Sequence, residues 1–237
     1  MHHSLVDWHE AKVPDHRVLE GFHVRLEALD AVRHGDDLWR HFHGTNSDPN
    51  QWDYMFSGPF VSQSDFDAYL KRITKSDDLL LYAVIDITSG EAQGFLAFRR
   101  IIPAHGNLEI GPVNFGAAMR RSVRSTEAVY LLIEEAFALG YRRVEWKCNN
   151  ENERSKRTAE RFGFRFEGLF RQHFVFKGRN RDTAYFSILD NEWPALKAAF
   201  VRWLADDNFD DQGRQIQTLA ALRRVDTTDT HYKKSET

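Results

Sequence analysis

Residues 109–164 alternate between two periodicities, and this constrains the fold more than any other feature of the chain. EIGPVNF has the pattern of a strand, and residues 125–139 then place Val129, Leu132, Ile133, Ala136 and Phe137 on one helical face, with Gly140 as the stop. YRRVEWKC returns to a strand, and residues 152–162 predict a short charged helix ended at Gly163. Helices interleaved with strands must pack on the faces of a sheet. The expected class is therefore α/β (α+β mixed), with a central mixed, mainly antiparallel sheet flanked by helices.

The flanking segments extend this sheet. LLYAVID and AQGFLAFRRII predict a hairpin about TSG, with Gly94 marking a bulge or close approach, and NLEIGPVNF adds a third strand. FRFEGLFRQHFVF and DTAYFSILD predict an antiparallel pair about the basic turn 177–181. Ser62 and Asp65 have capping-box spacing ahead of the stripe Phe66, Tyr69, Leu70 and Ile73. Residues 26–39 read as an early helix weakened by Gly35, and HFHGTNSDPNQWDYMFSGPF reads as a folded loop. His41 and His43 in that loop are expected to pack and hydrogen-bond; no metal site is expected. NEWPALKAAFVRWL predicts a helix with Pro194 in its first turn. Residues 1–204 then form a single domain with an N-terminal extension. Residues 205–237 form a polar C-terminal extension with a short helix at IQTLAALRR and a flexible DTTDTHYKKSET end.

Composition removes several function classes. The 237 residues carry 32 Lys and Arg against 35 Asp and Glu, so net charge gives no reason to expect nucleic-acid binding. RRIIPAHG and KGRNRD are basic turns near aromatics, yet neither completes an RNA-recognition motif. Cys148 is the only cysteine, which excludes a disulfide framework and a cysteine metal cluster. The apolar runs are too short to span a membrane, and MHHSLVDWHEAK, with His2 and His3, lacks the apolar core of a secretory signal. The expectation is a cytoplasmic protein with no membrane partner.

NENERS, ERFGF, FEG and KGRNRD, taken in order, resemble the GCN5-related N-acetyltransferase superfamily, above all its ribosomal-protein acetyltransferase-like branch. The resemblance spans residues 22–200 and is most specific over 109–190. It implies an acyl-CoA N-acyltransferase fold, acetyl-CoA as donor and a primary amine as acceptor. A protein or peptide N-terminal amine leads; a small amine or an amino-acid-derived antimicrobial compound is the alternative. A noncatalytic acetyl-CoA-responsive binding module is the reading from another class, and a homodimer is a further expectation.

The resemblance also nominates residues. Arg120, Arg121, Ser122, Val123, Arg124, Ser125 and Thr126 precede or open the central helix, where backbone N–H groups and the helix dipole favour a pyrophosphate. Relatives usually have glycines where this chain has Arg121 and Val123. Asn152 and Ser155 form an N-x-x-S pattern: Asn152 either binds the pantetheine arm or caps the helix, and Ser155 either stands near the departing thiolate or caps. Amine acetylation needs a neutral amine, a stabilised oxyanion and a protonated leaving group. Glu109 is the candidate base, with Glu167 second, and a backbone N–H near Val113 or Asn114 is the candidate oxyanion donor. Many relatives carry an acidic tyrosine where this chain has Ala159, which leaves Ser155 or water, or Tyr130 and Tyr185 if their hydroxyls turn inward. Trp52, Tyr54, Phe56, Phe115 and Phe170 either surround the acceptor or pack in the core. Cys148 is expected to pack or to line the donor site.

Overall fold

A computed structural model describes residues 8–224; His2, His3 and the DTTDTHYKKSET end lie outside them. Among the described residues the sheet has eight strands: β1 (Leu19–Glu20), β2 (Val24–Ala28), β3 (Leu79–Asp86), β4 (Ala92–Ile102), β5 (Asn107–Phe115), β6 (Arg143–Asn149), β7 (Arg165–Phe176) and β8 (Arg179–Leu189). Their order is β1-β2-β3-β4-β5-β6-β8-β7. Among these pairings only β5 and β6 run parallel, so the sheet is mixed and mainly antiparallel, as expected. The helices are α1 (Ala31–His43), α2 (Gln63–Ile73), α3 (Val123–Ala138), α4 (Glu153–Phe162) and α5 (Trp193–Leu204).

The parallel β5–β6 pair needs a crossover, which α3 supplies. Its stripe of Val129, Leu132, Ile133 and Ala136 is buried against the sheet, and Gly140 follows at φ +90°, where a side chain would be strained. This core takes Tyr82 and Val84 from β3, Val144, Trp146 and Cys148 from β6, Ala184, Phe186 and Ile188 from β8, and Phe200 and Trp203 from α5. A second core on the opposite face joins Leu38 and Phe42 of α1 and Phe66 and Leu70 of α2 to Leu81, Ala83, Ile85, Phe95 and Ala97. Strands β3 and β4 are thus packed on both faces. On β6 and β8, Val144/Trp146 and Ala184/Phe186 face the first core, and the alternate residues Glu145, Lys147, Thr183 and Tyr185 turn to the other side.

Several elements differ from the sequence expectation. Residues 26–28 belong to β2, whose register with β3 pairs Leu26 with Val84; the early helix begins only at Ala31. Asp30 sets that start by accepting from the N–H groups of Val32 and Arg33 at 2.8 and 2.7 Å. The same helix extends through His43, into the segment expected as loop. Strand β8 begins at Arg179, inside the expected basic turn. Gly94 does mark a close approach, since a Cβ there would lie 2.7 Å from the Phe115 ring. Ser62 caps α2 through the Asp65 N–H. Residues 205–224 fold back on the first core, where Leu219 and Leu222 are buried. No helix among the described residues is long and apolar enough to cross a membrane.

Candidate active site

Strands β5 and β6 pair only over Asn107–Arg143, Leu108–Val144 and Glu109–Glu145. Beyond Glu109, β5 stays with β4 while β6 follows β8, and the sheet splits. Between Ile110 and Val113 the β4–β5 register shifts by one residue, at Gly111 and Pro112. The split opens into a cleft of about 1650 Å³ roofed by residues 48–57. Gly116 donates to Gln93 at 2.8 Å, on the β4 side, and Phe115 turns its carbonyl the other way, to Gln51 and Arg120 at 3.2 and 3.0 Å. Strand alternation therefore directs the Asn114 N–H to β4 and the Val113 N–H into the split. Of the two expected oxyanion donors, Val113 has the available geometry.

Glu109 lies at the apex of the split and is buried. Lys147 Nζ stands 3.1 Å and Arg100 Nε 3.5 Å from its Oε2. Lys147 also contacts Glu145 Oε2 at 2.6 Å and lies over the Tyr185 ring at 4.6 Å. Burial opposes ionisation of Glu145, but hydrogen bonds from Lys147 and Arg143 outweigh it and hold that carboxyl below its ordinary range. Glu109 thus faces the cleft as part of an ordered charge network.

Ser155 lines the cleft on the first turn of α4. Its Oγ accepts from Trp146 Nε1 at 3.0 Å, and burial pushes the Cys148 thiol's titration upward against the opposing influence of the Ser155 hydroxyl. The Ser155 N–H donates to Asn152 Oδ1 at 3.0 Å, so Asn152 caps the helix while still lining the cleft. Ala159 is fully buried. Tyr130 packs against Trp193 and Phe200, and Tyr185 stacks on Phe170; neither lines the cleft.

The loop before α3 divides the expected donor-site residues. Ser122 is the N-cap, accepting from Ser125 N–H and donating to the Met119 carbonyl at 2.6 Å. Arg121 adopts φ +57°, the left-handed conformation that a glycine takes freely, and its exposed side chain forms no ion pair among the described residues. Arg120 instead turns to the roof, bonding Asp48 and Gln51, while Gln51 bonds the Asn114 side chain. Arg124 turns to Asp86 and Gln93 at 2.7 and 3.0 Å. Val123 packs beside the core, and Thr126 is buried and accepts from Arg161 at 3.1 Å; Ser125 alone of these three lines the cleft. Arg124, Val123 and Thr126 therefore organise the loop, Arg120 ties it to the roof from the edge of the cleft, and Arg121 and the first turn of α3 remain toward the cleft.

The remaining candidates also separate. Tyr54, Phe56 and Phe115 line the cleft, and the Tyr54 hydroxyl donates to the Glu151 carbonyl at 3.1 Å. Trp52 is buried among Phe42, Phe60 and Tyr69, and Phe170 lies outside the cleft. Glu167 also lies outside, bound by Arg143 and by Ser187 Oγ at 2.7 Å; the Arg143 hydrogen bonds hold its carboxyl below the ordinary range. His41 bonds Glu91 at 3.0 Å, and His43 stacks on Trp39 at 4.0 Å between ring centroids. Sequence reasoning missed Lys147, Asp48, Gln51, Arg157 and Arg181. The alternation of VEWKC already placed Lys147 opposite Trp146, whereas the contacts of Asp48 and Gln51 have no local signature.

Residues 28–165 match the acetyltransferase (GNAT) domain family, and the chain belongs to it. It is similar to a GCN5-related N-acetyltransferase from Brucella melitensis, at 47% identity and TM-score 0.88, covering 93% of this chain and all of that one. A probable GNAT-family acetyltransferase structure from Chromobacterium violaceum shares 44% identity at TM-score 0.76, covering 82% and 96% of the two chains. An uncharacterized N-acetyltransferase, p20, of Bacillus licheniformis is 31% identical over 151 residues, which is 62% of this chain and 84% of that protein.

Proposed function

We propose that this protein transfers the acetyl group of acetyl-CoA to a primary amine, with a protein or peptide N-terminal amine as the leading acceptor, as in the ribosomal-protein branch its motifs resemble. The observation that carries the reading is the juxtaposition, at one strand split, of a buried carboxylate, Glu109, and a backbone N–H directed away from its ladder, that of Val113. Acetyl-CoA, when bound, supplies an activated thioester. The residues fit it: α3 offers first-turn N–H groups, and Arg121 and Arg157 are exposed at the cleft without ion pairs among the described residues.

Glu109 accepts a proton from the incoming ammonium, directly or through one water. Lys147 and Arg100 hold its carboxylate in place, and the same cations disfavour a charged amine beside them. An α-amine, with an ordinary pKa of about 8, yields its proton far more readily than a lysine side chain at about 10.4. This supports the N-terminal acceptor. The Val113 N–H donates to the acyl oxygen as negative charge gathers there. The Trp146 indole fills one acceptor site of the Ser155 hydroxyl, whose O–H is free to rotate toward the departing sulfur. Ser155 fills the role left open by Ala159, which is why the catalytic reading is preferred to a noncatalytic module.

An acetyl-transfer screen over N-terminal peptides, lysine side-chain peptides and diverse small amines tests this, with free thiol and acetylated product measured separately. Stoichiometric product on α-amine peptides is expected. Product on small amines alone would move the acceptor to that class, and the absence of both donor binding and product would overturn the assignment.

A further inference from the structure

The wall of the cleft formed by β7 and β8 contains a cation that the chemistry above does not use. Arg181, on β8 opposite Phe174 of β7, is 8% exposed and forms no salt bridge among the described residues. Its guanidinium lies 4.7 Å from the Phe56 ring centroid and 5.6 Å from those of Phe174 and Phe176. Its Nε is buried without a hydrogen-bond partner, although Arg181 lines the cleft. A buried guanidinium faced by aromatic rings, with its Nε–H unmet, is costly. Thr183 Oγ1, His173 Nδ1 and Arg99 Nε, on residues lining the same cleft, are likewise buried and unpartnered. Burial, with Arg100, Lys147 and Arg181 nearby, pushes the His173 imidazole toward its neutral form. Arg99, Arg100 and Lys147 have carboxylate partners within 3.5 Å, Asp78 for the first, Glu109 for the second, and Glu145 and Glu109 for the third, whereas Arg181 has no such partner among the described residues and feels Glu109 only at longer range.

We propose that Arg181 and its unpartnered neighbours form an anion subsite, and that the acceptor is an amine that also carries a carboxylate or phosphate group. Glu109 and Arg181 then complement a zwitterion, with the ammonium toward the carboxylate and the oxyanion toward the guanidinium, whose planar fork suits either anion. The inference rests on the acetyl-transfer reading and narrows its acceptor.

Three acceptor pairs test it: peptides with N-terminal serine followed by aspartate or asparagine, by phosphoserine or serine, and free glycine against glycinamide. In at least one pair the anionic member should show kcat/KM about tenfold higher, since the neutral member leaves a buried charged donor unpaired. The pair that responds identifies carboxylate or phosphate as the anion. Arg181→Gln should reduce that ratio below about twofold at unchanged donor affinity, and Arg181→Lys should retain part of it. Equal kcat/KM in all three pairs for the unaltered protein overturns the proposal without any variant, as does a ratio that survives Arg181→Gln. If none of these amines is acetylated, binding of the same compounds in the presence of CoA decides the point. Tighter binding of an anionic member keeps the subsite while the transfer reading fails; equal or absent binding removes the subsite.

Discussion

The two halves of the sheet solve different problems. Around β3 and β4 both faces are covered, by α3 on one side and by α1 and α2 on the other, and the strands are almost wholly apolar inside. From β6 to β7 the first face still packs on the helices, while the other carries Glu145, Lys147, Tyr185 and Arg143, with the β5–β6 split at its edge. A doubly covered strand has every side chain committed to packing. A singly covered strand can hold one face rigid and present charged groups on the other. The difference suggests that substitutions in the covered half act on stability and those at the split act on chemistry.

The largest effect should come from the covered half. Glu127 of α3 is 1% exposed and accepts the N–H groups of Phe22, His23 and Val24 at 2.7, 2.7 and 2.9 Å, and Gly21 lies so close that a Cβ would meet the carboxylate. Glu127→Ala leaves these donors unmet and should cost about 3 kcal/mol in denaturant unfolding. A loss within about 0.5 kcal/mol would break the contrast from this side.

At the split the balance reverses. Glu109→Gln should lower kcat about 100-fold while leaving the acetyl-CoA dissociation constant unchanged, as measured by steady-state kinetics and calorimetry. Ser155→Ala should lower kcat by about tenfold, and less for a donor whose thiol leaves more easily. Equal losses for both donors would assign the proton to water. Glu167→Gln, outside the cleft, should change kcat by less than about twofold and stability by less than about 1 kcal/mol, because the pair it breaks is partly exposed.

What could be read from the sequence follows the same division. The α3 stripe and the alternation in VEWKC are local signals, and both were realised because each periodicity meets a surface of matching geometry. Residues 26–28 misled because a short apolar alternation followed by a helix resembles one longer amphipathic segment until Asp30 is seen to cap it. Within the candidate site, Glu109, Ser155 and Tyr54 came to the cleft from motif and composition. Arg124 is drawn away from it by Asp86 and Gln93, and Arg120, although it lines the cleft, is tied to Asp48 and Gln51, partners that come from distant parts of the chain. Trp52 and Phe56 show the same limit, since two aromatics four residues apart in one loop end in the core and in the cleft respectively.

Amide hydrogen exchange, followed by mass spectrometry with and without acetyl-CoA, tests the contrast most directly. Acetyl-CoA should slow exchange over residues 111–115 and 149–155, on the two sides of the split, and leave α1 and α2 unchanged. Protection confined to α1 and α2, with none at the split, would contradict the account.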